Sequence, residues 1–127
     1  MTTSLEEVLV QVRTQLEAKI KRQLSGLQGL VVKPLYNSLM PLHLGLLTDP
    51  EAFELVFLND GDIELKHGQS SNADVRIESD AQTLRNLFQN PSAELFKDLE
   101  EQKRIRITAL TKKGRDAEAY IRHYLSG

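Results

Sequence analysis

The repeat distance of the apolar residues changes along this chain, and that change limits its fold more than any single motif does. Near the start, Leu5, Val8, Leu9, Val12, Leu16, Ile20 and Leu24 recur at steps of three and four, which places them on one face of a helix. In the middle, Ile63, Leu65 and His67 alternate with Asp62, Glu64 and Lys66, and Val75 and Ile77 alternate with Asp74, Arg76 and Glu78. A period of two belongs to strands with one wet face, so Asp74, Arg76 and Glu78 are expected to point outward. Helical spacing returns at Leu84, Leu87 and Phe88, again at Leu95, Phe96 and Leu99, and finally at Ala117, Tyr120, Ile121, Tyr124 and Leu125. A chain that passes from helix to strands and back, with no internal repeat, is α+β.

The boundaries follow from caps and breakers. Ser4 and Glu7 stand at capping-box spacing before a helix from Leu5 to Leu24, and Ser25-Gly26 supplies a left-handed exit. From Leu27 to Leu47 the sequence is apolar but aperiodic. Pro34 and Pro41 there predict a short helix or turn followed by an extended run, with a first strand over Leu42 to Thr48. Asp49-Pro50-Glu51 is turn chemistry, Phe53 to Asn59 a second strand, Asp60-Gly61 a hairpin turn, and Ile63 to His67 and Ala73 to Ser79 complete four strands, mostly in a meander. Ser79 and Asp80 precede Gln82 at capping-box spacing, predicting a short helix to Asn90. Pro91 is expected at the first position of another helix that ends near Gln102. Arg104 to Leu110 reads as a fifth strand with Ile105, Ile107 and Ala109 on one face, and Thr111 caps the last helix. The expected architecture is a five-stranded, mainly antiparallel sheet with helices packed on one face, in a single domain over residues 1–127.

Composition narrows the function. At 127 residues there is room for one core, and 40% hydrophobic with 27% charged residues supplies both a core and a wet surface, which rules out wholesale disorder. With no cysteine, disulfides, thiolate zinc sites, iron–sulfur clusters and cysteine nucleophiles are all excluded. Residues 1–11 lack the basic-then-apolar pattern of a leader, and no window holds the ~18 apolar residues of a membrane span, so a cytoplasmic location is expected. His43, His67 and His123 are not at ligand spacing on any one element. His43 and His67 could face each other across strands, but two ligands without a nearby carboxylate make a poor metal site. Ser38, Ser70, Ser71 and Ser92 lack a nucleophile elbow, and Gly26 and Gly29 lack a phosphate-cradle context. No catalytic residue, metal or cofactor is expected, and an enzyme is disfavoured.

Two segments suggest contacts. Lys103, Arg104, Arg106, Lys112, Lys113 and Arg115 fall in a stretch without acids. Of these, Arg104, Arg106, Lys112 and Lys113 could form a positive edge for lipid headgroups or phosphate, hence a peripheral membrane contact, or a solvated face neutralised by nearby acids. A net charge of -2, 6% aromatic residues and no Trp argue against nucleic acid. Leu35, Tyr36, Leu39 and Met40, if left uncovered, would suit a membrane surface, a lid or a second subunit in a homodimer; if covered, they cap the sheet.

This order of elements resembles the sterol carrier protein type-two domain, over roughly Leu5 to Tyr124. The resemblance is carried by Phe53-Glu-Leu-Val-Phe-Leu-Asn-Asp-Gly61, by Ile63 to His67 with Gly68, and by Ala73-Asp-Val-Arg-Ile77. Two short helices, a basic-apolar strand and a C-terminal helix then follow as in the family. Glu101-Gln102 and Leu110-Thr111 stand where the family commonly has glycines, and Val32 to Leu47 looks closer to relatives that assist bacterial quinone biosynthesis. The resemblance implies a hydrophobic tunnel between sheet and helices, able to hold a fatty acyl, sterol or isoprenoid chain for binding, transfer or presentation without chemistry. The candidate lining is Phe57, Leu87, Phe88, Phe96, Ile105, Ile107 and Tyr124; the alternative is that all seven are ordinary core. In that case the domain would be a protein interaction or dimerisation module with a filled core and no ligand.

Overall fold

A computed structural model describes residues 4–49 and 51–127. The first helix, α1 (Leu5–Gln23), starts where Ser4 Oγ accepts the Glu7 amide, and it buries Leu5, Val8, Leu9 and Val12. Helix α2 (Gly26–Ser38) follows after Gly26 has taken a φ of 75°. It is longer than the two prolines suggest, because Pro34 lies inside it rather than ending it. Strands β1 (Leu42–Leu47), β2 (Ala52–Phe57) and β3 (Ile63–His67) form an antiparallel meander. The β2–β3 turn holds Asp60 and Gly61 at φ 65° and 90°, the double left-handed geometry that favours Asp-Gly in a tight hairpin. Pro50 lies outside the described residues; around it, Thr48 N and Thr48 Oγ1 both donate to the Glu51 carbonyl.

Strand β4 (Val75–Ser79) does not extend the meander. It returns beside β1 and runs parallel to it, and β5 (Ile105–Ala109) adds antiparallel to β4, giving the order β3-β2-β1-β4-β5. The connection from β3 crosses the outer face of the sheet, where a Cβ on Gly45 would lie 3.4 Å from the Ala73 Cβ and 3.8 Å from the Ser70 Cβ. Asp74 fixes the insertion. Its amide donates to the His43 carbonyl and its carbonyl accepts from Leu110 N. Its carboxylate accepts from His43 N at 2.9 Å and from Thr111 Oγ1 at 2.7 Å. Asp74 is therefore 7% exposed rather than outward, because a buried carboxylate is tolerated once donors surround it.

Helices α3 (Ala81–Gln89), α4 (Ala93–Glu101) and α5 (Lys112–Leu125) complete the chain. The cap of α3 is Asp80, accepting from Thr83 N, while Ser79 Oγ instead donates to the Arg104 carbonyl. The cap of α4 is Ser92, so Pro91 stands before the helix and not at its first position. Thr111 caps α5 as expected, accepting from Gly114 N. The core joins α1, α3, α4 and α5 to the sheet face made of Leu44, Leu46, Phe53, Leu55, Ile63, Val75, Ile77, Ile105 and Ile107. Helix α1 is fastened at the free edge, where Glu17 Oε2 accepts from Ile63 N and Arg13 Nη1 donates to Ile63 O. Tyr120, expected on the apolar side of α5, is 75% exposed, because the buried stripe of that helix runs through Gly114, Ala117, Ile121 and Leu125.

Candidate functional site

All seven candidate lining residues belong to or pack against the one core cluster, and six of them come from β5 and the last three helices. Leu87 and Phe88 come from α3, Phe96 from α4, Ile105 and Ile107 from β5 and Tyr124 from α5, and all belong to or pack against a single apolar cluster. The Phe88 and Tyr124 rings lie 6.5 Å apart, centroid to centroid. The local reasons are plain: α3 and α4 are short amphipathic helices that carry their aromatic residues inward, and the alternation of β5 turns Ile105 and Ile107 to the same side. Phe57 also packs on the cluster, but it ends β2 in register with Leu42, at the corner diagonal to Ile105, which pairs with Ser79. At ~4.8 Å per strand and ~3.3 Å per residue, that diagonal is roughly 25 Å. A cavity touching all seven would run the length of the sheet.

Only Tyr124 among the seven carries a polar atom, and burial pushes its phenol above the ordinary tyrosine value. A solvent-open cleft of about 330 Å³ lies between α4 and the end of α5, lined by Ala93, Phe96, Lys97, Glu100, Arg122 and Ser126 among others. Arg122 spans it. Its guanidinium sits 5.7 Å from the centre of the Phe96 ring, Nη1 donates to both Glu100 oxygens at 2.8 and 2.9 Å, and Nε donates to Glu118 at 3.0 Å. The bonds to Glu100, with Glu118, outweigh burial and raise the Arg122 pKa above its usual value. Glu118 and Arg122 stand four apart, a pairing visible in the sequence, whereas Glu100 and the Phe96 ring come to Arg122 only through the tertiary fold. A second cleft, at Gly45 under the crossover, holds about 10 Å³, about one water at most.

The basic residues are distributed along the edge strand β5 and into the start of α5. Arg104 lies just before β5, where Nη2 donates to Thr83 Oγ1 at 2.9 Å, and Arg106 is exposed in register with Glu78. Lys112 and Lys113 begin α5, at the other end of β5, and Lys113 Nζ donates to the Pro41 carbonyl. Asp80 beside Arg104 is pushed up by burial, but Thr83 and Arg104 prevail and hold it below the ordinary carboxylate range.

The histidines do not face each other. His43 is on β1 with Nδ1 3.4 Å from the buried carboxylate of Glu54, on the outer face of the sheet. His67 is two strands away on β3, pointing to the helical side, with Nε2 2.9 Å from Glu6 and its ring 5.2 Å from that of Phe53. Among the described residues, no three metal-ligating side chains gather. Sequence reasoning missed Glu54: alternation places it outward, and only the crossover over Gly45, a tertiary feature, buries that face.

No protein-family model and no curated protein sequence matches the chain. Solved structures do. A structure described as "UbiJ-SCP2 Ubiquinone synthesis protein" is 14% identical, with a TM-score of 0.54 over 91% of this chain and 95% of its own. The solution structure of palmitated SCP2L2 from Aedes aegypti is 12% identical, with a TM-score of 0.56 over 98% of this chain and 96% of its own. A mostly antiparallel five-stranded sheet backed by helices, matched end to end by both, makes this chain a sterol-carrier-like (SCP2-like) domain in fold.

Proposed function

We propose that the protein binds an apolar chain, of the fatty acyl, sterol or isoprenoid class, between β5 and helices α3, α4 and α5, and transfers or presents it without catalysis. The observation that carries this reading is the layer of Leu87, Phe88, Phe96, Ile105, Ile107 and Tyr124, apolar but for one hydroxyl, with the α4–α5 cleft opening beside Phe96. Each methylene taken from water into such a layer contributes ~0.8 kcal/mol, so affinity needs no polar machinery. Tyr124 supplies the one hydrogen-bonding group for a ligand's polar end. Phe57, at the far corner, would be reached only by a long chain. One structural neighbour is described as palmitated, which fits an acyl occupant. The absence of a nucleophile elbow or metal-ligand spacing in the sequence fits a binding protein rather than an enzyme, and a cytoplasmic site of action goes with this reading.

Native mass spectrometry of freshly purified protein, followed by lipid extraction and a screen of fatty acids, sterols and isoprenoid quinones, tests it. A ligand at defined stoichiometry, displaced by Phe88→Trp or Phe96→Trp, is the expected result. A second reading, an interaction or dimerisation module, is favoured by the near-complete burial of Leu87, Phe96 and Ile105. A clean ligand-free mass, no binder in the screen and a concentration-dependent dimer would replace the first reading with the second.

A further inference from the structure

Helix α2 sits on the protein with its polar side inward. Asn37 Nδ2 donates to Asp60 Oδ1 and Asn37 Oδ1 accepts from Asp60 N, while Lys33 Nζ lies 3.4 Å from the same carboxylate. Tyr36 turns its hydroxyl into the structure, and Gly29 packs against the Leu24 carbonyl. The apolar residues face outward: Leu27 is 86% exposed, Leu30 75%, Val31 68% and Leu35 65%. Spaced at 27, 30, 31 and 35, they form one stripe along the helix. A surface helix ordinarily does the reverse, and a contiguous apolar stripe of this kind marks a contact surface.

Charge selects the occupant. Residues 18–48 hold Lys19, Lys21, Arg22 and Lys33 and no Asp or Glu, whereas the rest of the chain holds twelve cations against all eighteen carboxylates. Lys21 and Lys33 are engaged by Asp62 and Asp60. Lys19 and Arg22 are exposed on the last turns of α1, next to the start of α2, and form no ion pair among the described residues. Two copies meeting symmetrically through α2 would bring these cations together, and like charges at an interface disfavour it. An anionic lipid surface satisfies both features, with headgroups for the cations and the acyl boundary for the leucines. We propose that the outward stripe of α2, with Lys19 and Arg22 beside it, docks the protein on an anionic bilayer. This surface is separate from the α3–α4–α5 layer, and its function does not depend on whether that layer holds a ligand.

The chain has no Trp, so Leu30→Trp gives a site-specific probe. With vesicles of phosphatidylglycerol and phosphatidylcholine at low salt, its emission should shift to the blue, and the shift should weaken with added salt and with pure phosphatidylcholine. In sedimentation with the same vesicles, Leu30→Asp/Val31→Asp should lower partitioning by about tenfold or more, and Lys19→Glu/Arg22→Glu should lower it at low salt only. Both pairs are exposed, so the circular dichroism melt should stay unchanged. No blue shift, or equal partitioning of the Asp variant, would overturn the proposal. So would binding lost in Arg104→Gln/Arg106→Gln but kept in the α2 variants, or a dimer that the Asp substitutions dissolve, which would assign the stripe to a second copy.

Discussion

Asp74 shows how one residue can hold a topology in place. Three strands or their flanks converge on it, through two backbone bonds and two side-chain bonds. Asp74→Ala would leave the His43 amide and the Thr111 hydroxyl without their acceptor, at about 1–3 kcal/mol for each group that stays buried. Chemical denaturation should show a lower midpoint, with Asp74→Asn intermediate because its amide oxygen still accepts one of the two bonds. Alternation alone assigned Asp74 to the wet face, because it encodes which way a side chain points but not whether a neighbouring strand covers it. Tyr36 carries a different signature: its hydroxyl is buried without a hydrogen-bond partner, and burial, helped by Asp62, pushes its pKa up to about 12. Between pH 10 and 12 the unfolded phenol has released its proton while the folded one retains it, so stability must fall as pH rises through that window. Tyr36→Phe removes both the orphaned hydroxyl and this titration. It should be as stable as the parent or more so by about 1 kcal/mol at pH 8, and the gap between their melting temperatures should widen above pH 10.

Among the elements, those whose apolar period reflects burial were legible. α1, α3, α4, β3 and β5 were readable because one face of each is core, and the spacing of Leu5 through Leu24 or of Ile105 and Ile107 records that face. Helix α2 was not, since its apolar residues at 27, 30, 31 and 35 face outward and so record no core face, and Pro34 suggested a break. Gly114 was also silent in the sequence. At that position α5 crosses so close to the start of β4 that a Cβ would fall onto the Asp74 carbonyl oxygen and press on Val75 Cγ2. Helix propensity alone would make Gly114→Ala stabilising by about 1 kcal/mol. The contact is with backbone, which cannot rotate away, so the expected net effect is a loss of about 1–3 kcal/mol. Thermal unfolding of Gly114→Ala decides the sign, and a higher melting temperature would mean that α5 has room to move off the sheet.

For the whole molecule, the fold class and sheet composition could be read from the chain, but the strand order could not. The return of β4 to β1 depends on hydrogen bonds made by Asp74 and on the crossover passing over Gly45, neither of which leaves a periodic trace. The same holds for the site. The sequence nominated Phe88, Phe96, Ile107 and Tyr124 because they are large and apolar on the right elements, yet the space between side chains is set by how helices lean on the sheet. In the structure these residues are packed together, and on the proposed reading an acyl or prenyl chain enters by displacing α4 and α5, while α1, tied to Ile63 by Glu17 and Arg13 and packed against α3, stays in place. Hydrogen exchange should therefore divide the molecule. With a ligand from the lipid screen bound, amides of α4, α5 and β5 should change protection by severalfold, and those of α1 and the β2–β3 hairpin should not, because protection changes where the local packing changes. A uniform rise across all five strands and α1 would instead mean that the ligand stabilises the fold as one unit, placing it in the central core under α1 rather than between β5 and the last three helices.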